Sequence, residues 1–179
     1  MIALIAIVVI VLATGGPSVS GSDASDDVTV EGEGRPPNSH LADVSGSEVR
    51  REGEEILFIA DMTQPIPERV PNGSLDFRWD LTVDGSDAWI VSAQVTNDTI
   101  ASVISQQTSY GSSTVDETMP GSVEVEGTKL TIRLRTGNID SFPAAFGWRL
   151  RTTLDGDRSD PSSPQAHDQA PDSGPGSFE

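Results

Sequence analysis

Hydrophobic positions recur at every second residue through the middle of this chain. Leu75, Phe77, Trp79, Leu81 and Val83 alternate with Ser74, Asp76, Arg78, Asp80 and Thr82. That is the period of a strand with one face in a core and the other in water. Asp84-Gly85 follows, a pair that favours a two-residue hairpin turn. The chain then returns with Trp89, Val91, Ala93 and Val95 on one face, before Asn97-Asp98 turns it again. Val123 and Val125 lead into Gly127-Thr128, and Leu130, Ile132 and Leu134 come back. Glycine first in that loop suits a type II′ turn, so this is a second hairpin. Phe146, Trp148, Leu150, Thr152 and Leu154 mark the apolar side of a last strand, and residues 56–60 are apolar on both faces, as a central strand should be. Weaker strands are expected at 47–52, 99–107 and 112–117, with a single helical turn near 138–142. Short strands punctuated by turns at this spacing predict an all-β fold, an antiparallel β-sandwich of about seven to nine strands spanning residues 46–154.

The first residues follow a different rule. Residues 2–13 form an uncharged apolar run, and Val11-Leu-Ala13 ends it with small residues at alternate positions. Twelve residues suit the core of a signal peptide better than a membrane span of about 20. Residues 1–13 are therefore expected to be a signal peptide cleaved after Ala13. An uncleaved N-terminal anchor is the alternative, since no Lys or Arg precedes the run. Either way the chain is expected outside the cell or at its surface. With no cysteine, an acylated lipoprotein anchor and disulfide staples are both excluded, and the core must suffice by itself.

Charge refines this picture. The formal net charge is −17. Residues 14–45 carry six acids against one base, and so do residues 155–179. With their Gly, Ser and Pro, these flanks read as a disordered acidic linker and a disordered acidic tail. So acidic a chain is not expected to bind nucleic acid, and it should meet a membrane only through its N-terminal segment.

Several segments of the chain resemble an uncharacterised type of secreted, immunoglobulin-like β-sandwich module of bacteria and archaea. They are Ile56–Met62, Phe77-Arg-Trp79 with its Asp-Gly turn, Phe146-Gly-Trp148, and the trailing Asp168-Gln-Ala-Pro-Asp-Ser-Gly174. The resemblance covers about residues 46–174. It implies an extracellular accessory or adhesive module and carries no catalytic residues to this sequence.

Candidate chemistry is sparse. His40 and His167, the only histidines, both fall in the flanks, where a general base lacks a rigid frame. No GxSxG, HExxH or P-loop motif is present. Calcium is the one cofactor with a local signal. Asp155, Asp157 and Asp160 place three carboxylates within six residues just after the last strand, a density that suits an ion needing six to eight oxygens, though a solvated acidic loop is the favoured reading. Asp80, Asp84 and Asp87 flank the first hairpin turn and read as ordinary turn residues. Trp79, Trp89 and Trp148 lie on apolar strand faces and are expected in the core, leaving Tyr110 as the one aromatic placed like a sugar platform. Finally, Lys129, Arg133, Arg135, Arg149 and Arg151 occupy outward positions on the last two strands. Glu126 and Glu124 are placed to pair with Lys129 and Arg133. Arg135, Arg149 and Arg151 have no evident local acid; ion pairing is the first reading of these outward charges, contact with the acidic tail the second and an external anionic ligand the third.

These features predict a non-enzymatic module for interaction or structure at the cell surface, its partner an extracellular protein or polysaccharide. The alternative is a glycan- or anionic-polymer-binding module supported by calcium. A secreted hydrolase ranks last.

Overall fold

In the computed structural model, described here for residues 18–179 except 33–35, 37, 98, 109–110, 117–122, 140–141, 157–162 and 173, the alternating segment 74–83 is a strand whose odd-numbered side chains Leu75, Phe77, Trp79 and Leu81 are wholly buried. For residues 87, 102–108, 111–116 and 138 only the backbone is described. In chain order the strands are β1 (Ser18–Ser22), β2 (Thr29–Glu31), β3 (Val44–Glu52), β4 (Glu55–Met62), β5 (Ser74–Val83), β6 (Ser86–Val95) and β7 (Ile100–Thr108). They continue with β8 (Gly111–Asp116), β9 (Val123–Glu126), β10 (Lys129–Arg135), β11 (Phe146–Asp155), β12 (Gln165–Ala170) and β13 (Gly176–Phe178). One sheet runs β1-β3-β4-β10-β9; the other runs β2-β12-β11-β5-β6-β7-β8, with β13 also on β11. All the pairings are antiparallel.

The two sheets form the expected β-sandwich. Nine strands, β3 to β11, come from the segment read as the domain. The other four lie in the segments read as disordered: β1 and β2 before it, β12 and β13 after it. The described parts of both flanks thus belong to the sandwich, while the expected leader, 1–13, lies outside the described residues.

Turn chemistry fixes the hairpins. Asp84 and Gly85 adopt φ of 51° and 77°, the doubly left-handed turn that matches strand twist. Gly127 opens its turn at φ 63°, leaving Lys129 opposite Glu126. The interior joins the sheets through aromatic rings. Phe58 of β4 meets Trp79 of β5 edge-on with centroids 5.8 Å apart, and stacks on Phe146 of β11 at 6.3 Å. Trp89 and Trp148 are also buried, as expected. On β4, Ile56, Phe58 and Ala60 face this core, whereas Leu57 and Ile59 point outward. These two are buried beside Arg50, Lys129 and Arg133, whose aliphatic stems can cover them while the charges stay wet.

The C-terminal segment closes the core. Phe178 stacks on Phe146 at 4.9 Å, and Arg51 lies over its outer face, 5.3 Å from the ring centroid. Gly176 sits against the Trp148 indole: a Cβ there would lie 2.6 Å from Cζ2 and 2.7 Å from Nε1. Gly176→Ala is therefore expected to lower stability by about 1–3 kcal/mol through overpacking. A thermal melt unchanged by this substitution would mean that β13 does not dock as described.

The outward basic residues of β10 and β11 do not share one face, because β10 belongs to the five-stranded sheet and β11 to the eight-stranded one. The connection between them, residues 136–145, starts with a 3-10 turn at Thr136–Asn138 and carries the chain from one layer to the other.

Candidate metal centre

Strand β12 has an unusual inner face. Ala166, Asp168 and Ala170 alternate inward, opposite Leu154, Thr152 and Leu150 of β11. A carboxylate thus points at the core, only 6% exposed. Beside it, Asp43 is 3% exposed at the junction between the 3-10 turn Ser39–Ala42 and β3. That turn is tied down by Thr152, whose hydroxyl donates to the Ala42 carbonyl. The β1–β2 loop brings Asp23 and Asp27 to the same place, and the turn after β12 brings Asp172.

Donors position these carboxylates. Asp43 Oδ1 accepts the Asp26 N–H at 3.2 Å, and Oδ2 accepts the Thr63 hydroxyl at 2.8 Å. Asp168 accepts the Val44 N–H at 2.9 Å on Oδ2 and the Gln169 N–H at 2.8 Å on Oδ1. Asp23 and Asp172 both reach the Ala24 N–H, at 3.0 and 3.3 Å. Oxygens of Asp27, Asp43 and Asp168 lie within 4.8 Å of one another, as do those of Asp23, Asp27 and Asp172. Asp27 belongs to both groups.

Among the described residues no Lys or Arg forms an ion pair with any of the five, although Arg151 borders the hollow lined by Asp27, Asp168 and Asp172. Asp23 Oδ2 is enclosed without a hydrogen-bond partner. Burial pushes the Asp23 carboxyl from 3.8 up to about 8, helped by a hydrogen bond to Asp172 and repulsion from Asp168, Asp172 and Asp27. Burial likewise raises Asp168 to about 6, aided by Asp27 and Asp43 and opposed by the two backbone N–H donors. A centre of this kind must take up protons or a cation. One calcium ion holds oxygens at 2.3–2.6 Å, and so reaches atoms up to about 5 Å apart. The all-oxygen donor set suits calcium and lacks the nitrogen and sulfur that zinc prefers.

This centre is not the one expected from sequence. Asp155 ends β11 opposite Ser74, and its half-buried side chain lines a separate hollow with Asn38, Leu41 and Pro71. Asp157 and Asp160 lie outside the described residues, as does Tyr110. Asp80 is taken by Arg78, with Nε 2.7 Å from Oδ1. His40 is exposed, while His167 is half-buried on β12, 3.9 Å from Glu31.

The three arginines also separate. Arg135 of β10 sits opposite Glu55 of β4 and pairs with it at 2.8 Å, so it has the local acid that a reading of β9–β10 alone could not find. Arg133 meets Glu124 at 3.6 Å as expected, and Glu52 at 3.3 Å as well. Among the described residues Arg149 and Arg151 have no ion-pair partner on the outer face of β11. The tail does return along this strand, but through backbone pairing that sets Gln169 opposite Arg151. No family model, curated protein or solved structure matches the chain.

Proposed function

We propose that this chain is an exported, non-enzymatic β-sandwich module acting in contacts at the cell surface, and that calcium fastens its two chain ends onto the sandwich. The observation that carries the calcium part is the pair of carboxylates of Asp43 and Asp168. Both are more than nine-tenths buried, lie within reach of Asp27, and form no ion pair with a Lys or Arg among the described residues. A divalent ion there would bridge the β1–β2 loop, the start of β3 and the end of β12, three segments far apart in sequence. Its role is structural: it holds the ends in place and leaves both outer sheet faces free for partners. Among the described residues no helix is long and apolar enough to cross a membrane.

Hydrogen exchange tests the fastening. With calcium, amides of β1, β2 and β12 are expected to be protected to nearly the same degree as those of β5. In EDTA at pH 8 the protection of these three strands is expected to fall first, because the opened segments are the ones the ion ties down. Equal protection in both conditions would show that the ends hold without an ion. Export is tested separately, by sequencing the mature N-terminus, which is expected near Thr14.

A further inference from the structure

The outer face of the eight-stranded sheet bears a cleft of about 500 Å³ lined by Arg78, Asp80, Thr82, Arg149, Arg151 and Pro175. Its volume falls in the range of small-ligand sites. Cross-strand register explains its charge. Arg149 of β11 lies opposite Asp80 of β5, but Asp80 is engaged by Arg78 two residues away. Among the described residues Arg149 has no ion-pair partner, and its Nε is enclosed and lacks a hydrogen-bond partner. Arg151 lies directly opposite Arg78, a like-charge pair that works against the sheet. Among the described residues the cleft thus gathers three guanidinium groups around one carboxylate, in a chain of net charge −17.

We propose that this cleft binds the carboxylate groups of an acidic polysaccharide. Guanidinium groups bind planar carboxylates through their N–H donors, and within the cleft Arg78 Nε already holds one carboxylate oxygen of Asp80 at 2.7 Å. Arg149 and Arg151 stand two residues apart on one strand, roughly 7 Å. They therefore suit anionic groups spaced along a chain, not the dense charge of a nucleic acid, with one charge per ~1.7 Å of duplex. The protein's overall negative charge repels densely charged polymers from a distance, and disfavours a sparsely charged glycan least. Arg151 also borders the hollow lined by Asp27, Asp168 and Asp172. A cation in that centre would weaken their pull on Arg151, but Arg149 and Arg78 do not border that hollow, so the cleft does not depend on it.

The test uses the full mature chain and polygalacturonate, at pH 5 in EDTA so that the outcome is independent of calcium. Binding is followed across a salt series, with neutral dextran and polyphosphate as comparison polymers. Saturable binding to polygalacturonate at low salt is expected, weakening as salt rises, with none to dextran. R149Q/R151Q is expected to lose at least tenfold in affinity and R135Q to retain it, with the melting temperature of both variants recorded to confirm folding. R149Q/R151Q should fold normally, since neither residue makes an ion pair among the described residues. Absence of wild-type binding at low salt would overturn the proposal, as would equal affinity in R149Q/R151Q. Tighter binding to polyphosphate than to polygalacturonate would overturn the assignment to a carboxylated glycan.

Discussion

Ending the chain after Leu154 is expected to abolish cooperative folding. The removed segment supplies Ala166, Ala170 and Phe178 to the core, all essentially unexposed. It also covers the edge of β11, through β12 along residues 150–155 and through β13 along 146–148. Without it, the Trp148 indole loses the backbone of Gly176 packed against it, and Phe146 loses its stacked partner. Phe178→Ala alone should cost about 3–5 kcal/mol, set against a typical domain stability of about 5–15 kcal/mol. Circular dichroism melts of the truncated chain and of Phe178→Ala provide the check. A truncated chain that melts within a few degrees of the full one would return residues 155–179 to the status of a dispensable tail.

Stability should depend on pH and calcium together. In the unfolded chain both Asp23 and Asp168 titrate near 3.8, whereas in the fold they titrate near 8 and 6. A carboxyl whose pKa rises on folding favours the folded state while it is protonated. That contribution is full below about pH 4, and is lost as pH climbs through about 6 for Asp168 and about 8 for Asp23. The metal-free protein is thus expected to melt at progressively lower temperature between pH 4 and pH 8. Calcium replaces the protons, so its stabilising effect should be small at pH 4 and largest at pH 8. At a thousandfold excess over its dissociation constant, an ion bound only to the folded state adds about 4 kcal/mol. Melting curves in EDTA and in calcium at pH 4, 6 and 8 give the comparison. Superimposable curves at pH 8 would leave the cluster a proton-sharing structural feature with no role for a metal.

The strands that could be read from sequence are those whose inner faces are large and apolar. β5, β6 and β11 alternate Leu, Phe, Trp and Val with polar residues, and Asp84-Gly85 names its own turn. β12 could not be read in this way. Its inward residues are Ala166, Asp168 and Ala170, two small side chains and an acid, so the strand looks like polar tail until β11 is seen beside it. β1 offers only Val19 among three serines and a glycine, and β13 is three residues whose one signal is Phe178, a lone aromatic in a polar stretch. The candidate centre was hidden for a related reason. Asp23, Asp27, Asp43, Asp168 and Asp172 come from opposite ends of the chain and share no spacing that a motif could capture. Their only trace was the acidity of the flanks, which solvated disorder explains equally well. The opposition of Arg78 and Arg151 has no local signal, because strand pairing sets it between segments more than 70 residues apart.

Calorimetric titration of the mature protein with calcium at pH 7, in two buffers of different ionisation enthalpy, tests the calcium centre most directly. At that pH Asp23, titrating near 8, still holds most of its proton, and carboxylates must lose protons to ligate an ion. The expected result is saturable binding with release of about one proton per ion, lost in Asp43→Asn/Asp168→Asn. No saturable heat in either buffer, in protein shown to be folded, would contradict it.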